Sequence, residues 1–374
     1  MLEPETSPAA TAESDTTRGP SAASFGPPDP QASPDPTLPV PAIGQELGPV
    51  QLVSELGRGA AGIVYLGHHK LLGRNVAVKC LVGGAGFWGE GGSRRFVEEA
   101  RAAAAVQHAN LTQIYHADIV RDMPFLVMEY VDGPTLGGLL GYAGRMSPAL
   151  ARGVMSEVAA AVAELHDRGL IHRDLKPSNV LIDRQGRVRV SDFGLAMRRA
   201  TFASVSTASP EVAGTPAYMA PEMFEGRVSP RSDIYAMGVM MSQLLTGKPP
   251  FRGSFEEIIA EHRSKPLPLE ELRGAGVDDA LIDLLERATH KQFLYRHKTA
   301  HELRRALAAL GVDAADCRRE LAGLILSMHA RSAPGTSAAP ATAAAADAES
   351  SYAQTIARLA TTKRERRSAA PIAP

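Results

Sequence analysis

The sequence predicts an α+β chain of two lobes, a small β-rich one followed by a larger helical one. Three observations predict it. Short β-branched and aliphatic runs joined by glycines fill residues 50–82. Beyond Pro134 the apolar spacing changes to the 3.6-residue period of amphipathic helices. Both ends of the chain, by contrast, are rich in Pro, Ala, Ser and Thr and poor in large apolar side chains.

Taken in order, residues 1–46 read as a disordered tail, because that composition buries too little surface to offset the entropy of ordering. Strands are expected over 50–56, 63–67 and 75–82, then a glycine-rich connection over 83–92 and a helix over 93–107. A further strand covers 125–130. Helices follow over 147–167, 233–245, 254–263 and 277–287. The globular domain is expected over 47–311, with the small lobe over 47–131 and the helical lobe over 132–311. A short helix is expected over 312–330, and 331–374 returns to a disordered composition. That tail ends in the basic run Lys363-Arg364-Glu365-Arg366-Arg367, which reads as a solvated segment, with a docking helix as the sharper alternative.

The 374 residues carry 40 basic and 41 acidic side chains, a net charge of -1. Such balance lacks the electrostatic footprint of a nucleic-acid or membrane-surface binder. The two cysteines, Cys80 and Cys317, stand far apart with no Cys/His cluster, which argues against a disulfide framework or a zinc site and suits a reducing cytoplasm. No basic, then apolar, leader opens the chain. The apolar run 322–328 is far shorter than the roughly 20 residues of a membrane span. A soluble, cytoplasmic protein is expected.

Several motifs carry chemistry. Gly57-Arg58-Gly59-Ala60-Ala61-Gly62 lies between two strands and opens no helix, unlike a dinucleotide fingerprint. Glycines let backbone N–H groups approach phosphate oxygens, although an ordinary turn uses the same residues. In Val76-Ala77-Val78-Lys79, strand alternation puts Ala77 and Lys79 on one face. An inward lysine needs an anion, whereas an edge lysine needs only water. On the next helix Phe96, Glu99, Ala103 and Val106 share a face, and Glu98 is rotated about 100° away. Glu99 is thus the candidate partner for Lys79, against the plain reading of a partly exposed helix glutamate.

The densest segment is His172-Arg173-Asp174-Leu175-Lys176-Pro177-Ser178-Asn179, with Asp192-Phe193-Gly194 shortly after. Apolar runs at 180–182 and 188–190 flank Asp183-Arg184-Gln185-Gly186, which predicts a tight β-hairpin. Its two ends would bring Asp174 and Asn179 beside Asp192, an oxygen-donor set suited to Mg²⁺ bound with phosphates.

These elements, with Ala220-Pro221-Glu222, follow the order of the protein kinase signature. The chain therefore resembles a eukaryotic-type (Hanks-type) serine/threonine protein kinase over about residues 48–311, with valine where isoleucine is usual before Lys79. Val127-Met128-Glu129-Tyr130-Val131-Asp132-Gly133 and Ile171-His172-Arg173-Asp174 resemble the bacterial members. The resemblance implies the bilobal kinase fold, ATP and Mg²⁺ (or Mn²⁺) as cofactors, and proteins as substrates. It implies that Asp174 orients the substrate hydroxyl, Lys176 contacts the transferred phosphate, and Asn179 and Asp192 hold metal. Lys79, braced by Glu99, would hold the α- and β-phosphates. The implied nucleotide site comprises Leu56, Gly57, Arg58, Gly59, Ala60, Ala61, Gly62, Ile63, Val64, Ala77 and Lys79. It also includes Met128 as gatekeeper and the backbone of Glu129 and Val131 as hinge.

Asp233 resembles the helix aspartate that pins the catalytic loop. Arg296 is the candidate partner of Glu222, although Tyr295-Arg296-His297 departs from the usual Arg-Pro. His172 reads as structural packing. Gly214–Glu222 resembles a peptide platform, which sets the chain apart from small-molecule phosphotransferases of related fold. In the loop before it, Thr207 and Ser209 are candidate autophosphorylation sites facing Arg173, against the plain reading of a flexible Ser/Thr-rich loop. The alternative reading of the whole is a pseudokinase scaffold or binding module, disfavoured because every chemical residue is present.

Overall fold

A computed structural model describes residues 40–59, 62–81, 92–121, 123–193 and 216–332. Ala60, Ala61, Gly194, Thr207, Ser209, Thr215 and most of both expected tails lie outside the described residues.

Period-two alternation builds the small lobe. Strands β1 (Glu46–Leu47), β2 (Val50–Gly59), β3 (Gly62–His69), β4 (Arg74–Cys80), β5 (Ile114–Val120) and β6 (Met123–Glu129) form one antiparallel sheet in the order β1-β2-β3-β4-β6-β5. Val76, Val78 and Cys80 turn to one face and pack with Leu52, Ile63, Tyr65, Phe125 and Val127. Ala77, Leu126 and Met128 turn to the other and join the main core with Phe96, Ala100 and Ala103 of helix α1 (Gly92–Ala104). That is the alternation expected around Lys79.

The folded chain starts earlier than residue 47. The Tyr65 hydroxyl donates to the Pro41 carbonyl at 2.8 Å, and Glu46 pairs with Gln51 in the ladder. Edge strand β5 has no place in the sequence reading. Its Ile-Tyr-His-Ala-Asp-Ile-Val buries only Ile114 fully, so no clean alternation marks it.

The helical lobe is organised by caps and by stripe width. Ser147 caps α3 (Pro148–Asp167) by accepting from Leu150 N at 3.1 Å, with Pro148 in the first turn. Helix α4 (Pro230–Thr246) starts three residues before the expected 233, where Ser232 Oγ accepts from Ser229 N at 3.2 Å and Pro230 sits in the first turn. It is buried nearly all round, the pattern of a central core helix. Around these two pack α2 (Leu136–Ala143), α5 (Phe255–Ser264), α6 (Leu269–Gly274), α7 (Asp279–Ala288), α8 (Ala300–Ala309) and α9 (Ala314–Ser332). Helices α2, α6 and α8 are absent from the sequence reading: α2 is glycine-rich and α6 has six residues, so neither shows a full period. No described helix is long and apolar enough to cross a membrane.

Candidate active site

Two three-residue strands hold most of the chemistry. β7 (Val180–Ile182) and β8 (Val188–Val190) pair as the expected hairpin, with Val180 opposite Val190. Asp183 Oδ1 accepts from the backbone of Gln185 and Arg187 at 3.0 and 2.9 Å, and Gly186 closes the turn at φ 75°. At the open end Ser191 N donates to the Asn179 carbonyl at 2.9 Å. Asn179 and Asp192 are thereby brought together.

The loop entering the hairpin is held from beneath by Asp233 of α4. Its carboxylate accepts from His172 N at 2.8 Å, Arg173 N at 2.9 Å and the His166 ring at 2.8 Å. Burial alone would raise this carboxyl's pKa, but the histidines and the Arg173 amide hold it below the usual carboxylate range. His172 is fully buried and its ring bonds the Ser191 carbonyl at 2.9 Å, which matches its reading as packing. Arg173 and Asp192 take left-handed backbone conformations, φ 69° and 63°. Non-glycine residues reach that region at a cost that surrounding contacts must offset.

Asn179 Nδ2 donates to the Asp174 carbonyl at 2.7 Å and to Asp174 Oδ2 at 3.1 Å. Lys176 Nζ lies 3.1 Å from the same Oδ2. With its amide nitrogen engaged, Asn179 offers Oδ1 to a cation. Lys79 reaches down from β4 to Asp192 Oδ1 at 2.7 Å, joining the two lobes across the cleft. Burial pushes the Asp192 carboxyl up and Lys79 pulls it down, and the net effect leaves it ionised below its ordinary range. An ionised carboxylate and an amide oxygen at one point form a hard-donor set that fits Mg²⁺. Glu99 is half-buried on the α1 face that carries Phe96 and Ala103, whereas Glu98 is exposed. The contact described for Lys79 in the cleft is thus Asp192, a pairing the sequence reading did not name.

Above the cleft, β2 and β3 pair as far as Gly59 opposite Gly62. Gly62 sits at φ 131°, and a Cβ there would fall 2.1 Å from the Cys80 carbonyl oxygen, so only glycine fits. Leu56 is 46% exposed, and Arg58 pairs with Glu55 at 2.8 Å on the surface. Ile63, Ala77, Met128 and Val131 are buried and Val64 is half-buried. Met128 shares a small pocket with Thr112, Ile114, Asp192 and Phe193. The Glu129 carboxylate is occupied by Arg189 at 3.4 Å and Gln113 N at 3.3 Å, so its side chain ties the end of β6 to β8.

Past β6 the chain lies directly on β7. Pro134 O accepts from Ile182 N at 3.0 Å, and a Cβ on Gly133 would meet the Ile182 carbonyl at 1.9 Å. Leu181, half-buried between buried Val180 and Ile182, is bridged to Thr135.

The segment after the loop is locked by Glu222. Arg296 forms a two-pronged pair with it at 2.7 and 2.8 Å, and Ser232 Oγ donates to it at 2.8 Å. The Arg296 side chain is wholly buried, so the expected pairing forms despite the Tyr-Arg-His context.

The protein kinase domain family matches residues 50–304. The chain belongs to that family. This kinase domain is 38% identical over 274 residues to the serine/threonine-protein kinase Pkn1 of Myxococcus xanthus, covering 71% of this chain and 39% of that protein. It is 34% identical over 264 residues to the serine/threonine-protein kinase PrkC of Bacillus subtilis, covering 70% and 40%. The chain therefore spans about two fifths of the length of these curated relatives. A crystal structure of Rad53 1-466 in complex with AMP-PNP superposes with a TM-score of 0.58 at 23% identity, covering 68% of this chain and 64% of that one. That likeness is one of fold, and it matches the bilobal α+β architecture seen here.

Proposed function

We propose that this chain is a serine/threonine protein kinase that moves the γ-phosphoryl group of ATP to protein hydroxyls. The observation that carries it is the constellation at the hairpin mouth. Asp174 is oriented by Asn179 and flanked by Lys176, while Lys79 stands 2.7 Å from Asp192 across the cleft. Phosphoryl transfer asks a protein for positioning and charge stabilisation more than for covalent chemistry. Asp174 is placed to orient the incoming hydroxyl and take its proton. Lys176 supplies positive charge beside it, where the equatorial oxygens of the transferred group gather negative charge. Asn179 and Asp192 would hold Mg²⁺, or Mn²⁺, which supplies charge neutralisation at the phosphates. Lys79 would exchange Asp192 for the α- and β-phosphates, with Glu99 bracing it.

Leu56, Val64, Ala77 and Met128 form an apolar slot for the base, and the backbone of Glu129 and Val131 offers it hydrogen-bonding groups. The peptide platform at 216–222 supports a protein substrate. Autophosphorylation at Thr207 and Ser209, recruited toward Arg173, belongs to this proposal, as does a cytoplasmic location, which two free buried cysteines suit.

Asp174→Asn tests it. Phosphate transfer from radiolabelled ATP to casein should fall by at least about a thousandfold while nucleotide affinity stays near normal, since the phosphates are held elsewhere. Near-normal transfer by the variant would sink the assignment of Asp174.

A further inference from the structure

Helix α9 lies beyond the family match, which ends at residue 304, yet it is built into the main core through Cys317, Leu321 and Ile325. Their four-residue spacing makes one continuous stripe. The stripe packs on α3, and at one point the fit leaves no room for a single carbon. A Cβ on Gly153 would stand 2.5 Å from Cys317 Sγ.

One turn along, α9 reaches the catalytic hairpin. Arg318 grips Glu157 of α3 with two donors, at 3.0 and 2.8 Å to Oε1. The other oxygen of the same carboxylate accepts from Val188 N of β8 at 3.3 Å and from Asn110 Nδ2 at 3.0 Å. Asn110 in turn holds one edge of β8 at two points, its Nδ2 donating to the Val188 carbonyl at 3.0 Å and its backbone carbonyl accepting from Val190 N at 2.8 Å. The Arg318 carbonyl also abuts the hairpin turn, where a Cβ on Gly186 would fall 2.1 Å from it. Glu157 is 9% exposed, so its charge is not satisfied by water.

We propose that α9 is a positioning element of the active site: Arg318, acting through Glu157 and Asn110, sets the strand that delivers Asp192. A three-residue strand has too short a ladder to fix its own register, and the far end of β8 is two residues from Asp192. Withdrawing the guanidinium leaves Glu157 buried with less compensation, so the carboxylate turns toward solvent and releases the Val188 amide. Asp192 then drifts relative to Asn179, and the pair loses cation affinity. The proposal rests on the kinase reading for the role of that pair. The mechanical link from α9 to β8 stands apart from it.

The test uses the full chain and four variants: Arg318→Ala, Arg318→Lys, Gly153→Ala and Gly153→Ala/Cys317→Gly. Gly153→Ala favours helix α3 intrinsically but expels Cys317, and the double variant restores the space. In the variants that keep Cys317, docking of α9 is read by its labelling rate with an aromatic disulfide, since its thiol is buried and pushed up to about 12 by desolvation and nearby Glu157. The hairpin is read by amide exchange over 186–193, and the site by Mg²⁺ titration of fluorescent ATP-analogue binding. Arg318→Ala and Gly153→Ala should each speed exchange at Val188 and weaken Mg²⁺-dependent nucleotide binding on the order of tenfold, the usual effect of losing an outer support of a ligand. Metal-free nucleotide binding should not change. Arg318→Lys should recover part of the loss and the double variant most of it. Rapid thiol labelling with unchanged hairpin exchange would show α9 to be a cover only, and would overturn the proposal. Faster exchange with unaltered Mg²⁺ dependence would overturn the positioning role. Absence of Mg²⁺-dependent binding in the unsubstituted chain would instead refute the kinase reading and leave the exchange comparison to decide the mechanical link.

Discussion

The two halves of the cleft are held in place by different means. The upper half hangs on a long backbone ladder, ten residues of β2 against eight of β3, ending in glycines that no side chain supports. The lower half rests on two three-residue strands held by buried carboxylates that reach across sequence: Asp233 under the catalytic loop, Glu157 behind β8, Glu222 behind the platform. A ladder repeats the same bond and yields gradually along its length. A buried carboxylate gathers several donors at one point, so it locates them sharply and fails at once when its charge is uncompensated. The ladder half is therefore expected to yield under strain, and the carboxylate-anchored half to hold.

The largest test of this contrast removes an anchor. Glu222→Ala leaves Arg296 buried without its carboxylate, and unfolding stability should drop by about 3–5 kcal/mol, measured by urea titration. A loss under 1 kcal/mol would mean the anchor is replaceable and the contrast false.

A smaller effect is expected in the ladder. Gly62→Ala forces a Cβ against the Cys80 carbonyl at a positive φ, for a cost of about 1–3 kcal/mol. The ladder should absorb it by opening the β2–β3 tip. Nucleotide affinity should fall while the denaturation midpoint of the helical lobe stays put, as nucleotide titration and fluorescence-monitored unfolding would show. Equal losses in both would say that the tip is as tightly coupled as the anchors.

Within any one pH unit, the smallest of the three effects comes from acid. His262 on α5 is buried between Phe251 and Tyr235, accepts or donates at 2.8 Å to the Tyr235 hydroxyl, and has its pKa pushed down to about 3 by desolvation and then by Lys291. The unfolded chain binds a proton there below pH 6.5 and the folded chain does not. Stability therefore falls as pH drops from about 6.5 toward 3, with a slope of about 1.4 kcal/mol per pH unit from this one group. His262→Gln should flatten that limb of the stability curve by about this slope. An identical acid limb in the variant would remove His262 as its source.

How much of this was legible beforehand varied with the range of the interaction. The hairpin 180–190 was readable because turn residues and alternation are local, and it placed Asn179 near Asp192 as observed. Glu99 was readable as an inward helix position from spacing alone. Glu157 was not, although it carries the catalytic hairpin. It sits in a run of alanines and valines on α3 and looks like an ordinary helix glutamate, and its partners are 31, 47 and 161 residues away. Strand β5 escaped for another reason: an edge strand buries one face only in part, so its periodicity fades.

By itself, the sequence determined which side chains could do chemistry and which short segments would present them, because glycines, turn residues and hydrophobic periods act over a few residues. It also separated the two lobes. Only the tertiary structure decided who holds whom. Lys79 meets Asp192 across the cleft, and a helix past the end of the family match braces β8 through Arg318 and Glu157. Those choices depend on which buried charge comes within about 3 Å of another once the chain has closed, and at that distance in a poorly solvated interior the electrostatic energy dominates any local preference.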